Sequence, residues 1–173
     1  MFEFIILGFL MSKNMTGYDI KQKMSVSTSN FIDASFGSIY PALKRLEQKA
    51  LICSEEVVTN RKLKKVYFIT QQGKDEFLRW LSAPIEASKT SITSALSKIF
   101  FYNHLSNESA QILLHSYIAD LTTFKSNLLK VKETIAQRGN TFELCTLLFG
   151  LDFYDFAINW YQNYLANLDK NNK

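Results

Sequence analysis

The sequence predicts a mainly α fold: an N-terminal winged helix-turn-helix of three helices and a β-hairpin over residues 1–82, then an α-helical dimerisation domain over residues 83–173. Three observations carry that prediction. Apolar residues recur at helical spacing along most of the chain, with only two prolines and six glycines to interrupt them. One stretch, residues 52–70, switches to β-branched and aromatic residues flanking a polar turn. The charge is uneven: residues 1–82 hold 12 Lys/Arg against 8 Asp/Glu, whereas residues 83–173 hold 8 of each. A basic first half predicts an anionic partner, and a neutral second half predicts a packing role. With 47% apolar residues in 173, the chain can bury a substantial core.

Phe2, Ile5, Ile6, Phe9 and Leu10 repeat at helical spacing and predict a mostly buried first helix over 2–12. Thr16 is a good cap for a second helix over 17–27, with Ile20 and Met24 facing inward. The third helix lies in "GSIYPALKRLEQKALI", residues 37–52, and is expected to begin near Phe36 with Ser35 as its cap. At about 100° per residue, Ile39, Leu43, Leu46 and Ala50 form one stripe that should face the core. Gly37, Ser38, Pro41, Lys44, Arg45 and Gln48 fall on the opposite, solvent-facing side. Pro41 removes the hydrogen bond its N–H would give to Gly37, near the helix start where few such bonds exist. The result is an open-backboned, positive helix end without bulk at Gly37, suited to a phosphate or a groove wall. Lys44 lies nearer Pro41 and could reach base edges or phosphate; Arg45 lies nearer Ser38 and could grip a phosphate or pair with a neighbouring acid. The bland alternative is a solvated helix face, against which the glycine start and the basic hairpin favour DNA contact.

"CSEEVV" and "KVYFIT" predict hairpin strands over 52–58 and 65–70, joined by "TNRKLK". Tyr67 and Ile69 should share one face, and Lys64, Val66 and Phe68 the other. The tip would carry Arg61, Lys62, Lys64 and Lys65, a cluster suited to phosphates. Thr70 should cap a fourth helix over 71–82, ending before Pro84. Three helices followed by a basic hairpin is the order of a winged helix-turn-helix, in which one helix enters the major groove and the wing touches the backbone.

The remainder predicts helices over 91–104, 107–138 (capped by Ser106) and 141–168, the last two separated at Gly139-Asn140. In the long helix, Leu114, Tyr117, Leu121, Phe124, Leu128, Val131 and Ile135 follow alternating steps of three and four. That heptad seam is expected to pair with a second copy, although it could pack within one chain. The last helix carries Phe149, Phe153, Tyr154, Phe156, Trp160, Tyr161 and Tyr164, spread too widely for one narrow seam. Phe153 and Trp160 are expected at the dimer interface. Trp80, Phe100 or Trp160 could instead serve a ligand pocket, and spacing does not choose among them.

"GSIYPALKRLEQKALI", preceded by "GYDI" at 17–20 and followed by "YFITQQGKDEF" at 67–77, resembles the PadR family of bacterial transcriptional regulators. The likeness spans most of residues 4–80; the second half resembles the family's larger subgroup in length and helical pattern. It implies a homodimer on palindromic double-stranded operator DNA, usually a repressor and sometimes an activator, often released by a small aromatic compound. It also implies that Ser38 and Tyr40 meet DNA at the start of the recognition helix. Lys44 would be a basic position on that helix, Tyr18 would lie near the DNA backbone, and Lys64 and Lys65 would be wing cations. Ala50 stands where the family usually has glycine, which predicts a different helix ending if φ is positive there. Val66 stands where an aromatic is common, which predicts a looser wing base.

Two other functions stay open at this point: a winged-helix module that binds another protein, and a ligand-independent activator. An enzyme is not expected, because no nucleophile–base pair, phosphate loop or metal cluster occurs at motif spacing, and no cofactor is implied. His104 and His115 are isolated and expected at the surface or a polar edge. Cys53 and Cys145, far apart, predict free thiols in a reducing compartment. The apolar start "MFEFIILGFLMSK" carries Glu3, lacks a basic start and has no cleavage site of a signal peptide, and no run approaches the ~20 apolar residues of a membrane span. The expected location is the cytoplasm.

Overall fold

Hydrophobic spacing dictates the first element. In α1 (Phe2–Ser12) every residue from Ile5 to Leu10 is buried, so this helix is the centre of its unit rather than a surface layer. The computed structural model describes residues 1–28, 36–59, 62–87, 90–138 and 140–171. These fall into two compact units, one of Met1–Ala83 with Ile92–His104, the other of Pro84–Ser91 with Leu105–Lys173.

In the first unit, β1 (Met15–Thr16) leads into α2 (Gly17–Ser27), α3 (Phe36–Gln48), β2 (Ile52–Thr59), β3 (Lys62–Ile69), α4 (Gln71–Ser82) and α5 (Ile92–Ile99). Thr16 caps α2 as expected, and Asp19 completes a reciprocal box: the Asp19 N–H donates to Thr16 Oγ1 at 3.1 Å, and the Thr16 N–H donates to Asp19 Oδ2 at 3.0 Å. Ile20 and Met24 are fully buried. The predicted cap Ser35 lies outside the described residues.

The α3 stripe is set by Ile39, Ala42, Leu43 and Leu46, all essentially inaccessible to solvent. Ala50, expected on that stripe, is instead exposed, because the helix has already ended. It ends in the manner typical of glycine. Ala50 sits at φ 54°, with its N–H bonded to the Glu47 carbonyl at 2.9 Å and the Leu51 N–H bonded to the Leu46 carbonyl at 3.0 Å. The different ending expected of alanine is therefore not found; the left-handed geometry is kept at the expense of strain. Thr70, which caps α4, also donates to the Ala50 carbonyl at 2.8 Å. Gly73 allows this approach, since a Cβ there would lie 2.0 Å from the Leu51 carbonyl oxygen.

The hairpin is longer than predicted. Its strands pair from Ile52↔Ile69 to Thr59↔Lys62, so Lys62 and Lys64 join the predicted Lys65 in β3 rather than lying in a loop. The cross-strand pairs Val57↔Lys64 and Val58↔Leu63 carry the ladder into the stretch read as a turn. The two-residue β1, too short for a periodicity signal, pairs with β3 through Met15↔Tyr67 and Thr16↔Val66, giving a sheet of order β1-β3-β2.

The helix predicted over 91–104 stops at Ile99 and resumes as one 3₁₀ turn, Tyr102–His104. Phe100 and Phe101 both meet Phe9, at ring distances of 6.1 and 5.4 Å, which consecutive residues of a straight α-helix could not easily do. Phe101 also packs over Gly8, where a Cβ would approach its ring to 2.5 Å. Lys98 of α5 is buried; its Nζ donates to the Ala83 carbonyl and lies 5.6 Å from the Trp80 ring.

The second unit is a helical hairpin. α6 (Asn107–Arg138) runs antiparallel to α7 (Thr141–Asn171), as the contacts Tyr117–Tyr161, Phe124–Tyr154 and Lys125–Asp155 show. Ser106 accepts the Ser109 N–H at the start of α6, as predicted. Among the described residues, no helix is long and apolar enough to cross a membrane.

Candidate nucleic-acid interface

Burial of Ile39, Ala42, Leu43 and Leu46 fixes the rotation of α3, and that rotation decides what faces outward. Gly37, Tyr40, Pro41, Lys44 and Arg45 are exposed, and Ser38 is half-buried. Beside them, the capped start of α2 presents Tyr18, 61% exposed. Gly17 lets α2 and α3 approach closely, because a Cβ there would meet the Tyr40 ring at 3.0 Å. The pairing of Thr16 with Val66 ties the same helix start to the wing. An open groove of about 480 Å³ results, lined by Tyr18, Asp19, Tyr40, Leu63, Lys64 and Lys65 among others. Residues from α2, α3 and β3 that the sequence singled out separately are thus assembled along one concave surface.

The cations on this surface are not equivalent. Lys44 is exposed and makes no ion pair with any described residue. Arg45 instead donates from Nε to Glu3 Oε1 at 2.7 Å, and Lys49 donates to the other oxygen at 2.9 Å. Partial burial raises the Glu3 pKa, but the hydrogen bonds and charges of Arg45 and Lys49 outweigh it and leave the carboxyl below its ordinary value. Lys64 and Lys65, consecutive on β3, both line the groove. Lys65 pairs with Glu47 at 3.1 Å and lies 5.2 Å from the Tyr67 ring; the hydrogen bond to Glu47 raises its pKa. Asp19 is held low chiefly by its hydrogen bond from the Thr16 side chain, with the Lys64 charge contributing. The Lys62 side chain and Arg61 lie outside the described residues.

Spacing predicts the outward set Gly37, Ser38, Pro41, Lys44 and Arg45 and the basic Lys64 and Lys65, and the resemblance adds Tyr18 and Tyr40, but neither marks the carboxylates beside them. Asp19 had a local signal, the T-x-x-D spacing of a capping box. Glu3 and Glu47 had none, lying 42 residues from Arg45 and 18 from Lys65.

In the second unit, the heptad seam is engaged within the chain. Leu114, Tyr117 and Leu121 are buried, and Phe124 and Leu128 are half-buried, with α7 supplying ring contacts to Tyr117 and Phe124. Val131 is exposed, and the Ile135 side chain lies outside the described residues. α7 has two apolar stripes. Leu147, Leu151, Tyr161 and Leu165 are buried, whereas Phe142, Phe149, Phe156, Trp160 and Tyr164 remain 43–82% exposed. Phe153 is half-buried and stacks on Phe149. Trp80 and Phe100 lie in the first unit, stacked on Phe4 and set edge-on to Phe9 respectively, and Trp160 lies in the second. His104 is half-buried, with its pKa lowered by burial; His115 and both free cysteines are exposed.

Residues 6–79 match the sequence model of the transcriptional regulator PadR-like family, and residues 94–169 match that of the virulence activator alpha C-term family. The chain is 27% identical over 177 residues to the negative transcriptional regulator PadR of Bacillus subtilis (strain 168), an alignment covering 97% of each. Among solved structures it is similar to Bacillus subtilis PadR in complex with operator DNA, with 24% identity, 95% and 96% coverage and a TM-score of 0.49. It is also similar to the same protein in complex with p-coumaric acid, with 24% identity, 96% and 98% coverage and a TM-score of 0.45.

Proposed function

We propose that this chain, whose residues 6–79 match the PadR-like family of transcriptional regulators, a family of regulators and not of enzymes, is a homodimeric repressor of palindromic operator DNA. In this proposal residues 1–82 bind the duplex, residues 83–173 dimerise, and a small aromatic effector releases the complex. The groove carries the assignment: Tyr18, Tyr40, Lys64 and Lys65 line one open concavity, and Lys44 stands exposed on the same outward face of α3 as Tyr40. Hydroxyl and ammonium donors along such a surface suit a duplex whose affinity comes from phosphates and whose sequence is read at the helix start.

Two copies at fixed spacing are needed to read a palindrome. The exposed stripe of α7, with Phe149, Phe156 and Trp160, supports pairing through that helix, because apolar surface of this extent on a lone chain favours association. The aromatic effector is supported by the p-coumaric acid complex of the Bacillus subtilis relative.

Selection of bound sites from random duplex DNA, combined with the solution mass, tests the proposal. A palindromic consensus and twice the 20.0 kDa chain mass are expected. A monomer, or a protein with no salt-sensitive duplex binding, would end it. Titrating hydroxycinnamic acids into the protein–operator complex tests release; an unchanged complex would remove the effector from the proposal.

A further inference from the structure

Glu47 is an acid in an improbable place. It is the penultimate residue of α3, where the negative end of the helix dipole disfavours a carboxylate. It also lies beside Lys65, which lines a groove assigned to a polyanion. Its contacts show what the position does. One carboxylate oxygen accepts the Ser54 hydroxyl of β2 at 2.5 Å, and the other accepts the Lys65 ammonium of β3 at 3.1 Å. Lys65 in turn lies over Tyr67, which packs in the wing base, and Ser54 and Tyr67 are direct cross-strand partners. A single side chain of α3 therefore holds both strands of the wing. Its pKa lies below the ordinary value: burial pushes it up, and the bonds from Ser54 and Lys65 more than reverse that.

We propose that Glu47 is a positioning residue that fixes the distance between α3 and the wing, holding the groove at the width of one operator geometry and keeping Lys65 from indiscriminate phosphate contact. This rests on the DNA-binding assignment above. A carboxylate near DNA repels it, so Glu47 lowers affinity for every duplex; restricting the wing lowers it most for duplexes of the wrong shape. Its contribution is specificity rather than affinity.

The experiment compares wild type, Glu47→Ala, Glu47→Gln and Ser54→Ala by two measurements. The first needs no DNA: hydrogen–deuterium exchange of β2 and β3 in the free protein. Glu47→Ala should exchange faster there than wild type, and Glu47→Gln, which keeps an acceptor oxygen, should lie between them. The second is the ratio of dissociation constants for operator and scrambled duplex at one salt concentration. Glu47→Ala should bind scrambled duplex several-fold more tightly, with a log–log salt slope steeper by about 0.9 for each Lys65 released. Its discrimination ratio should fall about tenfold, and Ser54→Ala should fall in the same direction without the steeper slope. Unchanged exchange in Glu47→Ala would refute the clasp whatever happens with DNA. Faster exchange with an unchanged ratio, or equal gains on both duplexes, would leave Glu47 as a repelling charge and overturn its role in discrimination. If wild type binds no duplex of any sequence while exchange responds as expected, the DNA-binding assignment fails and the clasp stands.

Discussion

Lys44 and Arg45 are adjacent, equally charged and both exposed, yet the structure predicts different effects for their removal. The Lys44 ammonium has no acid partner among the described residues, so its charge is available to a phosphate. The Arg45 guanidinium is committed to Glu3 at 2.7 Å, and Lys49 shares that carboxylate. Each phosphate neutralised contributes about 0.9 to the slope of log affinity against log salt. The proposed two copies on a palindrome would double this, so Lys44→Ala should flatten the slope by about 1.8. Between about 50 and 200 mM salt, that removes roughly tenfold of the affinity change seen in wild type. Arg45→Ala should flatten it by less than half as much, because the lost charge was already balanced. It should instead lower stability by about 0.2–1 kcal/mol, the range of an exposed ion pair, which Lys44→Ala should leave untouched. Fluorescence anisotropy of operator duplex across a salt series gives the slopes, and urea titration gives the stabilities. Equal slopes for the two variants would refute the inference that Glu3 withholds Arg45, and a wild-type slope for Lys44→Ala would remove Lys44 from the interface.

Four further outcomes are expected. Ala50→Gly should raise the urea midpoint, because left-handed geometry costs alanine about 1–2 kcal/mol and only part of the gain is offset by the flexibility of glycine when unfolded; a net gain of about 0.5–1 kcal/mol is expected, and a loss would contradict φ 54°. Gly73→Ala should cost about 1–3 kcal/mol in the same titration, since the Leu51 carbonyl stands where the new methyl must go, and a neutral result would show that α4 shifts freely. Glu3 and Glu47 have folded pKa values below 4.5, so the stability they confer is complete above that pH and is lost as pH falls through the folded values; Glu3→Gln with Glu47→Gln should flatten the acid limb of a stability–pH curve. Lys98, which burial lowers from 10.5 to about 8, gives the same sign of slope in a higher window, but as a cost to the charged form: the unfolded chain holds the extra proton between those values, so stability should rise with pH across that window in wild type relative to Lys98→Met.

Local periodicity reported the fold well wherever one face of an element is buried. The stripe Ile39, Leu43, Leu46 is visible in the sequence because burial selects apolar residues every three or four positions, and the same spacing gave the outward set at once. The wing was legible as a hairpin but not in length: its outer strands carry exposed Val58 and Leu63 beside polar residues, so no buried face marks where pairing stops. The break after Ile99 was hidden because Phe100 and Phe101 look like two more helical apolar residues until both are seen to meet Phe9. The heptad seam of α6 was read correctly as an apolar edge, but spacing alone does not name the helix that covers it, and α7 of the same chain takes Tyr117 and Phe124. Ion pairing was the least legible feature, since Glu3 and Glu47 meet their cations only through the tertiary fold.

That hidden pairing explains why a DNA-facing unit has a modest charge. Of the basic residues along α3 and the described wing, Arg45 and Lys49 share Glu3, and Lys65 is held by Glu47. Lys44 and Lys64 are the ones left outside such pairs among the described residues. Every unpaired cation strengthens binding to any duplex, and a regulator must find one site among a vast excess of others, so the ratio of specific to non-specific affinity matters more than either alone. On the proposed function, carboxylates that restrain cations and brace the wing against α3 would lower the sequence-independent part of binding and leave Gly37, Ser38 and Tyr40 at the helix start for the bases. The +4 formal charge and the two acids behind it would then be parts of one arrangement, in which, under the proposal, the shape of the groove and not the quantity of positive charge selects the duplex.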